Sequence, residues 1–357
     1  MKIGIIISSN SFRSHLSYYL NFLDEQKIEY DIICWNRRMI DESKNLSYNV
    51  SQSEGKGYFN RFISYFGYKK FVVDCLDRNK YDKIIISTVA IAVLLYPYLK
   101  KYYKNKYLFD IRDYSLILKF TKFILKKLID NSTATVISSE GFKRWLPKSS
   151  KYYIAHNFPF ELTNGVVKFR SGALSLKKHK KSLVITTIGA LRDFEANKLL
   201  IDTFKNSDEF LINFIGTGHA YYPLKEYVRN KGIPNVLFYG YYLKKDEADL
   251  LKNTDFINNF TNFDKNSRTL MTNRFYLSVV LGIPMIVRAD TFQGKLCEMY
   301  KLGCVLSSHI EIKAQLKKYI SSWSQDEYAN GCSNFLEIVE DDTRKLDVLL
   351  RDFVLNN

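Results

Sequence analysis

The sequence predicts an α/β protein built from two doubly wound parallel sheets. Three observations carry that expectation. Strand-like and helix-like segments alternate from Ile3 to Ala155, as in chains of βαβ units. The alternation breaks at His156-Asn157-Phe158-Pro159 and resumes at Leu183. In the second run the strands end in glycine: Ile188 hands over to Gly189, Ile215 to Gly216-Thr217-Gly218, and Tyr239 to Gly240.

Taken in order, residues 3–7 read as a strand. Residues 12–23 read as a helix, with apolar Phe12, Leu16, Tyr19, Leu20 and Leu23 on one face. A second strand covers 30–34. Residues 36–57 are polar and contain glycine, which predicts a loop. A long helix follows at 58–79, then strand 83–87, helix 89–103, strand 107–111, helix 114–129, strand 135–138, a short helix at 141–146 and a strand at 152–155. The second run contains strands at 183–188, 210–215, 236–239 and 284–287. A helix opens at Thr272-Asn273-Arg274 and stops at Gly282, with Pro284 beyond it. Helices at 310–322 and 333–353 close the chain. The expected organisation is a first domain over 1–160, a linker over 161–182, a second domain over 183–332 and a closing helix over 333–357. No repeat of 20–50 residues stands out, which argues against solenoids and propellers.

The chain has 357 residues, which suits two domains at roughly 100–200 residues each. Five cysteines lie scattered with no C-x-x-C, which argues against zinc ribbons, redox pairs and a disulfide framework. The N-terminal Met1-Lys2-Ile3-Gly4-Ile5 runs straight into a strand pattern without a signal-peptide shape. The longest uncharged run, 84–99, is short for a membrane span and is broken by Pro97. The expectation is a soluble, cytoplasmic protein. Formal net charge is +16, which favours anionic partners. Abundant Lys, Asn, Ile and Tyr offer a compositional explanation for part of it, as in an AT-rich genome. The basic stretch Lys177-Lys178-His179-Lys180-Lys181 reads as a solvated linker before it reads as a binding patch.

Glycines at the carboxyl ends of parallel strands mark where such sheets hold ligands, and helix N-termini there present unpaired N–H groups to phosphate. Gly189, Gly216 and Gly218 are therefore candidate residues for holding a nucleotide or sugar phosphate. Arg192 follows Gly189 by three positions and Lys198 lies in the first turn of the next helix, so two cations flank this loop. The competing reading pairs Arg192 with Asp193 or Glu195 on the surface. Asn273 and Arg274 stand at a second helix start, which could equally be an ordinary capped helix. In the first half, Asp110-Ile111-Arg112-Asp113 lies at a strand end. Asp113 there could orient or deprotonate a hydroxyl, or the acids and Arg112 could form a local ion pair. The residues after the first strand, Ser8-Ser9-Asn10-Ser11, carry no G-x-G-x-x-G, and neither does the stretch from Gly216, so a dinucleotide dehydrogenase is poorly supported. Leu116, Ile117, Phe120, Phe123, Ile124 and Leu128 alternate with Lys119, Lys122, Lys126 and Lys127, which suits an anionic membrane surface or a helix packed on its own sheet. No metal-spaced His cluster, G-x-S-x-G elbow or nucleic-acid recognition motif is present.

Ile188-Gly189-Ala190-Leu191-Arg192, Phe214-Ile215-Gly216-Thr217-Gly218, residues 235–240, Asn273-Arg274-Phe275-Tyr276 and Leu281-Gly282-Ile283-Pro284 together resemble the GT-B glycosyltransferases, specifically the bacterial family 4-like (group 1) transferases of surface-polysaccharide assembly. The resemblance covers about 120 residues of the second half and is loose in the first, through 110–113 and 156–159. It implies two Rossmann-like domains facing each other across a cleft. It also implies a nucleotide-sugar donor, commonly UDP-linked, held by the second domain, and an acceptor against the first. Arg192 and Asp113 would be the catalytic residues. Gly189, Arg192, Lys198, Gly216, Gly218, Tyr242, Asn273 and Arg274 would serve the donor, and Ser9, Asn10, Asp110 and Arg112 the acceptor. Such enzymes are typically metal-independent and retaining. Many use lipid-linked oligosaccharides at the inner face of the cell membrane, here in capsule, exopolysaccharide or O-antigen assembly, with no role for nucleic acid. One departure stands out. The family usually carries two glutamates, which would fall near Thr269 and at Leu277, and neither position is acidic. A non-catalytic partner subunit with a degenerate donor site and a UDP-sugar 2-epimerase-like enzyme are the competing readings.

Overall fold

The computed structural model describes residues 1–11, 14–51, 58–159, 182–307 and 311–355. Phe12, Arg13, most of the expected linker and the basic stretch at 177–181 lie outside the described residues. The chain divides into two compact units, Met1–His156 with Asp342–Asn357, and Asn157–Asp341.

The first unit contains β1 (Lys2–Ile7), α1 (Ser14–Glu25), β2 (Glu29–Trp35), β3 (Leu46–Tyr48), α2 (Tyr58–Asn79), β4 (Lys83–Ser87), α3 (Val89–Tyr102), β5 (Tyr107–Ile111), α4 (Leu118–Asn131), β6 (Ala134–Ile137) and β7 (Tyr152–Ile154). Its seven strands pair in the order β3-β2-β1-β4-β5-β6-β7, all parallel. Ile3, Ile5, Ile6, Ile85 and Ile86 are buried, because helices on both faces leave a parallel sheet no wet side. β3 falls inside the segment that reads as a loop; three residues at a sheet edge are too short to show a period of two. α4 starts four residues later than its pattern predicts. The chain from Ser115 to Phe120 forms i→i+3 turns, with Leu118 N–H donating to the Ser115 carbonyl and Phe120 N–H to that of Ile117.

The second unit contains β8 (Leu183–Ile188), α5 (Phe194–Phe204), β9 (Phe210–Ile215), α6 (Tyr221–Lys231), β10 (Val236–Gly240), α7 (Glu247–Leu250), β11 (Phe256–Asn259), α8 (Asn273–Leu281), β12 (Met285–Arg288), α9 (Phe292–Met299), β13 (Gly303–Leu306) and α10 (Ile312–Ser321). Its six strands pair in the order β10-β9-β8-β11-β12-β13, again all parallel. A core of Ile185, Leu200, Phe204, Ile212, Phe214 and Leu224 fills one side, and Phe275, Tyr276, Val279, Met285 and Phe335 fill another.

α11 (Gln325–Leu355) belongs to both units. Tyr328, Phe335 and Val339 pack in the core of the second, while Leu346, Leu350 and Phe353 pack in that of the first. It begins eight residues before the expected start at 333. Ser324 Oγ accepts from Glu327 N–H at 3.4 Å, the arrangement that Ser-x-x-Glu favours at a helix start. His156 Nε2 and Asp342 Oδ2 stand 3.0 Å apart, so the residue where the chain leaves the first unit is bonded to the residue where it returns.

Candidate functional site

Both sheets reverse strand order once. In the second unit the reversal lies between β8 and β11. Open parallel sheets bind ligands there, beyond the carboxyl ends of the two diverging strands. The loop after β8 carries Gly189, Arg192 and Asp193, and the loop after β11 carries Thr261, Asn262 and Phe263. A buried polar network lies beneath them. Asn258 Nδ2 donates to Thr187 Oγ1 at 2.8 Å and to Asn197 Oδ1 at 3.4 Å, while Phe260 N–H donates to Asn258 Oδ1 at 3.0 Å. This links β8, α5 and β11 below the site.

Asp193 precedes α5 but makes no side-chain cap to it. Its carboxylate instead accepts from the Asn262 backbone N–H at 2.9 Å and from Asn262 Nδ2, which joins the two loops. The positive end of α5 is thus left without a capping side chain, and Arg192 beside it is exposed. Arg192 forms no ion pair with Asp193 or Glu195, and its side chain makes no hydrogen bond among the described residues.

Arg274 enters from the first turn of α8 and is half-buried. Burial lowers its guanidinium to about 10, with Asp193 and Tyr242 pulling upward and Arg192 pushing downward. It is still charged at neutral pH, and these four residues therefore share one electrostatic neighbourhood. Thr272 caps α8, its Oγ1 accepting from Phe275 N–H at 3.2 Å. Gln293 fixes the cap by accepting from Thr272 N–H at 3.1 Å. Asn273 is exposed at this helix start.

The glycines divide into two kinds. A Cβ on Gly216 would stand 2.0 Å from the Gly189 carbonyl oxygen, and one on Gly218 would stand 2.4 Å from that of Leu191. These two permit close packing of neighbouring loops, which Leu191 N–H to Thr217 O at 3.0 Å then stitches. Gly189 is different. Its φ is +98°, and the nearest atom to an added Cβ is the Tyr242 hydroxyl, 3.9 Å away. Its backbone is therefore the one open to a ligand. Tyr242, half-buried in the loop after β10, donates to Glu247 Oε1 at 2.7 Å, and burial together with Glu247 holds its hydroxyl protonated.

The structure thus brings Gly189, Arg192, Tyr242 and Arg274 together and leaves Lys198 out. The Lys198 ammonium lies 3.0 Å from Asp202, one turn along α5, and 5.2 Å from the Tyr227 ring centroid. The expectation that Lys198 joins the cradle meets this local ion pair, which i,i+4 spacing on a helix favours. Leu277 and Thr269 both point inward, at 4% exposure each. Leu277 packs with Ile188, Ile215, Ile257 and Leu281, so hydrocarbon surrounds this position.

In the first unit the reversal lies between β1 and β4. Ser8 Oγ and Thr88 Oγ1 meet across it at 2.7 Å. Thr88 has φ 92° and ψ 127°, a conformation costly for a β-branched residue, of a kind that concentrates at binding and catalytic sites. Asn10 is buried and donates to Asn36 Oδ1 at 2.7 Å and Glu42 Oε1 at 3.2 Å. Glu42 also accepts from Ser11 N–H at 2.9 Å and Asn45 Nδ2 at 2.7 Å. Burial raises its carboxyl, the hydrogen bonds from Ser11, Asn45 and Asn10 more than offset this, and the group lies below its ordinary value. Ser9 is half-buried beside this network. Glu42 was hidden in a polar stretch without periodicity; its only signal is an acid among Asn and Ser.

Asp110 and Arg112 form an internal pair, contrary to their expected place on the acceptor side. Asp110 is fully buried, Arg112 Nε stands 2.7 Å from its carboxylate, and Arg112 Nη1 donates to the Ala155 carbonyl at 3.2 Å. Burial pushes the Asp110 carboxyl up, against the pull of Arg112. Asp113, three residues on, is exposed in the loop between β5 and α4. All five cysteines are free and buried. Among the described residues no cluster of His, Cys, Asp and Glu could hold a metal ion, and no helix is long and apolar enough to cross a membrane.

No family model matches the sequence, and no curated protein matches it. Solved structures do match the fold. The lipopolysaccharide outer core galactosyltransferase WaaB is 16% identical, with a TM-score of 0.64 over 98% of this chain and 99% of that one. Anabaena HepE in complex with UDP and glucose is 12% identical, with a TM-score of 0.65 over 100% of each chain. The sucrose-phosphate synthase of Thermosynechococcus elongatus is 10% identical, with a TM-score of 0.67 over 100% of each. At these identities the likeness establishes the fold, two Rossmann-like domains of the GT-B type.

Proposed function

We propose that this chain is a glycosyltransferase whose second unit binds a nucleotide-diphosphate sugar, UDP-linked in our reading. The observation that carries the proposal is the grouping of Arg192, Arg274 and the open backbone of Gly189 at the sheet's reversal point, beside the uncapped start of α5. Two guanidiniums and helix N–H groups match the charge of a diphosphate, so no metal is required in this reading. UDP in the HepE complex, on the same fold, supports the choice of donor.

In the reaction an acceptor hydroxyl oxygen bonds the anomeric carbon while that carbon's bond to the diphosphate oxygen breaks. The diphosphate leaves with the electron pair, stabilised by Arg192, Arg274 and the start of α5. Asp113 orients the hydroxyl and takes its proton. Retention of configuration is part of the proposal. Ser9 and Asn10, shaped by Glu42, form the acceptor side of the first unit. Tyr242 flanks the nucleotide, and Asn273 offers its exposed amide at the start of α8.

The acceptor we propose is a lipid-linked oligosaccharide in surface-polysaccharide assembly, reached from the cytoplasmic face of the membrane. α4 supports this. Leu118, Leu125, Leu128 and Ile129 bury one face of it, yet Phe120 is 90% exposed and Phe123 68% exposed, with Leu116 exposed just before the helix. Lys119, Lys122 and Lys126 are exposed among them. Aromatic rings ringed by lysine suit an anionic lipid surface. A second reading, a partner subunit with a degenerate donor site, draws on buried Leu277 and Thr269. Release of free UDP from UDP-sugar that depends on added lipid-linked acceptor tests the proposal. Its absence, with folded protein and a full panel of donors, favours the partner subunit.

A further inference from the structure

Phe263, in the loop after β11, lies between two guanidinium groups. The Arg268 Cζ stands 4.4 Å from its ring centroid and the Arg288 Cζ 4.6 Å. Arg288 ends β12, lies 5.4 Å from the Phe260 centroid, and its Nη1 reaches the Thr261 carbonyl at 3.5 Å. This cluster adjoins the donor cradle. Asn262, between Thr261 and Phe263, is the residue bonded to Asp193, and Asp193 shares its surroundings with Arg274 and Arg192. β8, β11 and β12 are consecutive in the sheet, at the usual spacing of about 4.8 Å, so Arg192 and Arg268 follow, and Arg288 ends, neighbouring strands.

A sugar ester of a nucleoside diphosphate carries two negative charges at its phosphates, and Arg192 with Arg274 matches them. Arg268 and Arg288 exceed that need. The Arg268 side chain is exposed and makes no hydrogen bond or ion pair among the described residues. Asp264, close by in sequence, is engaged with the N–H groups of Asn266 at 2.8 Å and Ser267 at 3.1 Å and with the Ser267 hydroxyl. Stacking on the Phe263 ring leaves the N–H edge of Arg268 open, and such an edge fits a carboxylate through two parallel hydrogen bonds.

We propose that Arg268 and Arg288 form a subsite for a carboxylate on the transferred sugar, so that the donor is a nucleotide diphosphate of a uronic acid. The proposal rests on the donor reading above. The test is calorimetric binding of UDP, UDP-glucose, UDP-glucuronate and UDP-galacturonate to the full chain and to Arg268→Gln and Arg288→Gln. At least one uronate should bind on the order of tenfold tighter than UDP-glucose, about 1.4 kcal/mol. That advantage should vanish in either variant while UDP affinity stays unchanged. Equal wild-type affinity for UDP-glucose and both uronates overturns the subsite and leaves the donor reading standing. Equal losses of UDP and uronate affinity in the variants assign the arginines to the diphosphate and also overturn it. Failure of the wild type to bind UDP or any of the three UDP-sugars overturns the donor reading and this proposal together.

Discussion

Asp193 holds Asn262 through its backbone N–H, at 2.9 Å, and through its side-chain amide. One carboxylate thereby fixes the loops that follow both strands of the second unit's reversal point, and it lies close enough to Arg274 to raise that guanidinium. Asp193→Ala should loosen both loops. Hydrogen bonds to a charged group contribute about 1.5–3 kcal/mol, so nucleotide affinity should fall about tenfold or more, with a smaller fall in melting temperature. Calorimetry and a thermal melt on one preparation check both.

Gly216 and Gly189 should respond differently to alanine. At Gly216 a Cβ would stand 2.0 Å from a backbone oxygen, which no side-chain movement relieves. Gly216→Ala should destabilise the second unit by about 3 kcal/mol or more, at the severe end for a point change. Gly189→Ala has space and carries only the strain of positive φ, about 1–2 kcal/mol. It should fold and lose nucleotide binding, which denaturant melts paired with calorimetry would reveal.

The Glu42 carboxyl lies below its ordinary value of 4.5 in the folded chain. A depressed acid contributes stability that is present above its unfolded value and is lost as pH falls through the folded one. The stability difference between wild type and Glu42→Gln should therefore be full near neutral pH and shrink below about pH 4.5. Urea melts across that range check the sign; a gap that widens in acid contradicts the assignment.

Phe120 and Phe123 are exposed on a helix already packed by its other face. Phe120→Ser with Phe123→Ser should abolish co-sedimentation with anionic phospholipid vesicles and leave nucleotide binding intact. Binding of the wild type to neutral vesicles as strongly as to anionic ones would contradict the role given to the lysines.

The sheets were legible because buried parallel strands are nearly continuous apolar runs, such as Ile3-Gly4-Ile5-Ile6-Ile7, and because glycine punctuates their ends. β3, β11 and β13 were not, since strands of three or four residues carry little pattern to read. Of the candidate site, Arg192, Arg274 and Gly189 were legible from their places at strand ends and helix starts, Tyr242 came only from the resemblance, and the structure gathers all four. Asp193 was legible only as a partner for Arg192, because its bond to Asn262 spans 69 positions. Spacing put Lys198 in the cradle, but an acid one turn away, at Asp202, takes it. Asp110 at a strand end pointed to a binding crevice; its complete burial with Arg112 depends on tertiary packing that local sequence does not encode.

The most direct test of the account is calorimetric titration of UDP, GDP, ADP, CMP and UDP-sugars, with Arg192→Ala as control. Arg192 is exposed and unpaired among the described residues, so its removal should leave the melt unchanged. The account predicts that the protein binds one nucleoside diphosphate selectively. The variant should lose about 2.7–4 kcal/mol of transition-state stabilisation in a transfer assay, the scale of one oxyanion donor, with a clear fall in diphosphate affinity. A folded wild type that binds none of these ligands, or a variant that binds and turns over as the wild type does, would contradict it.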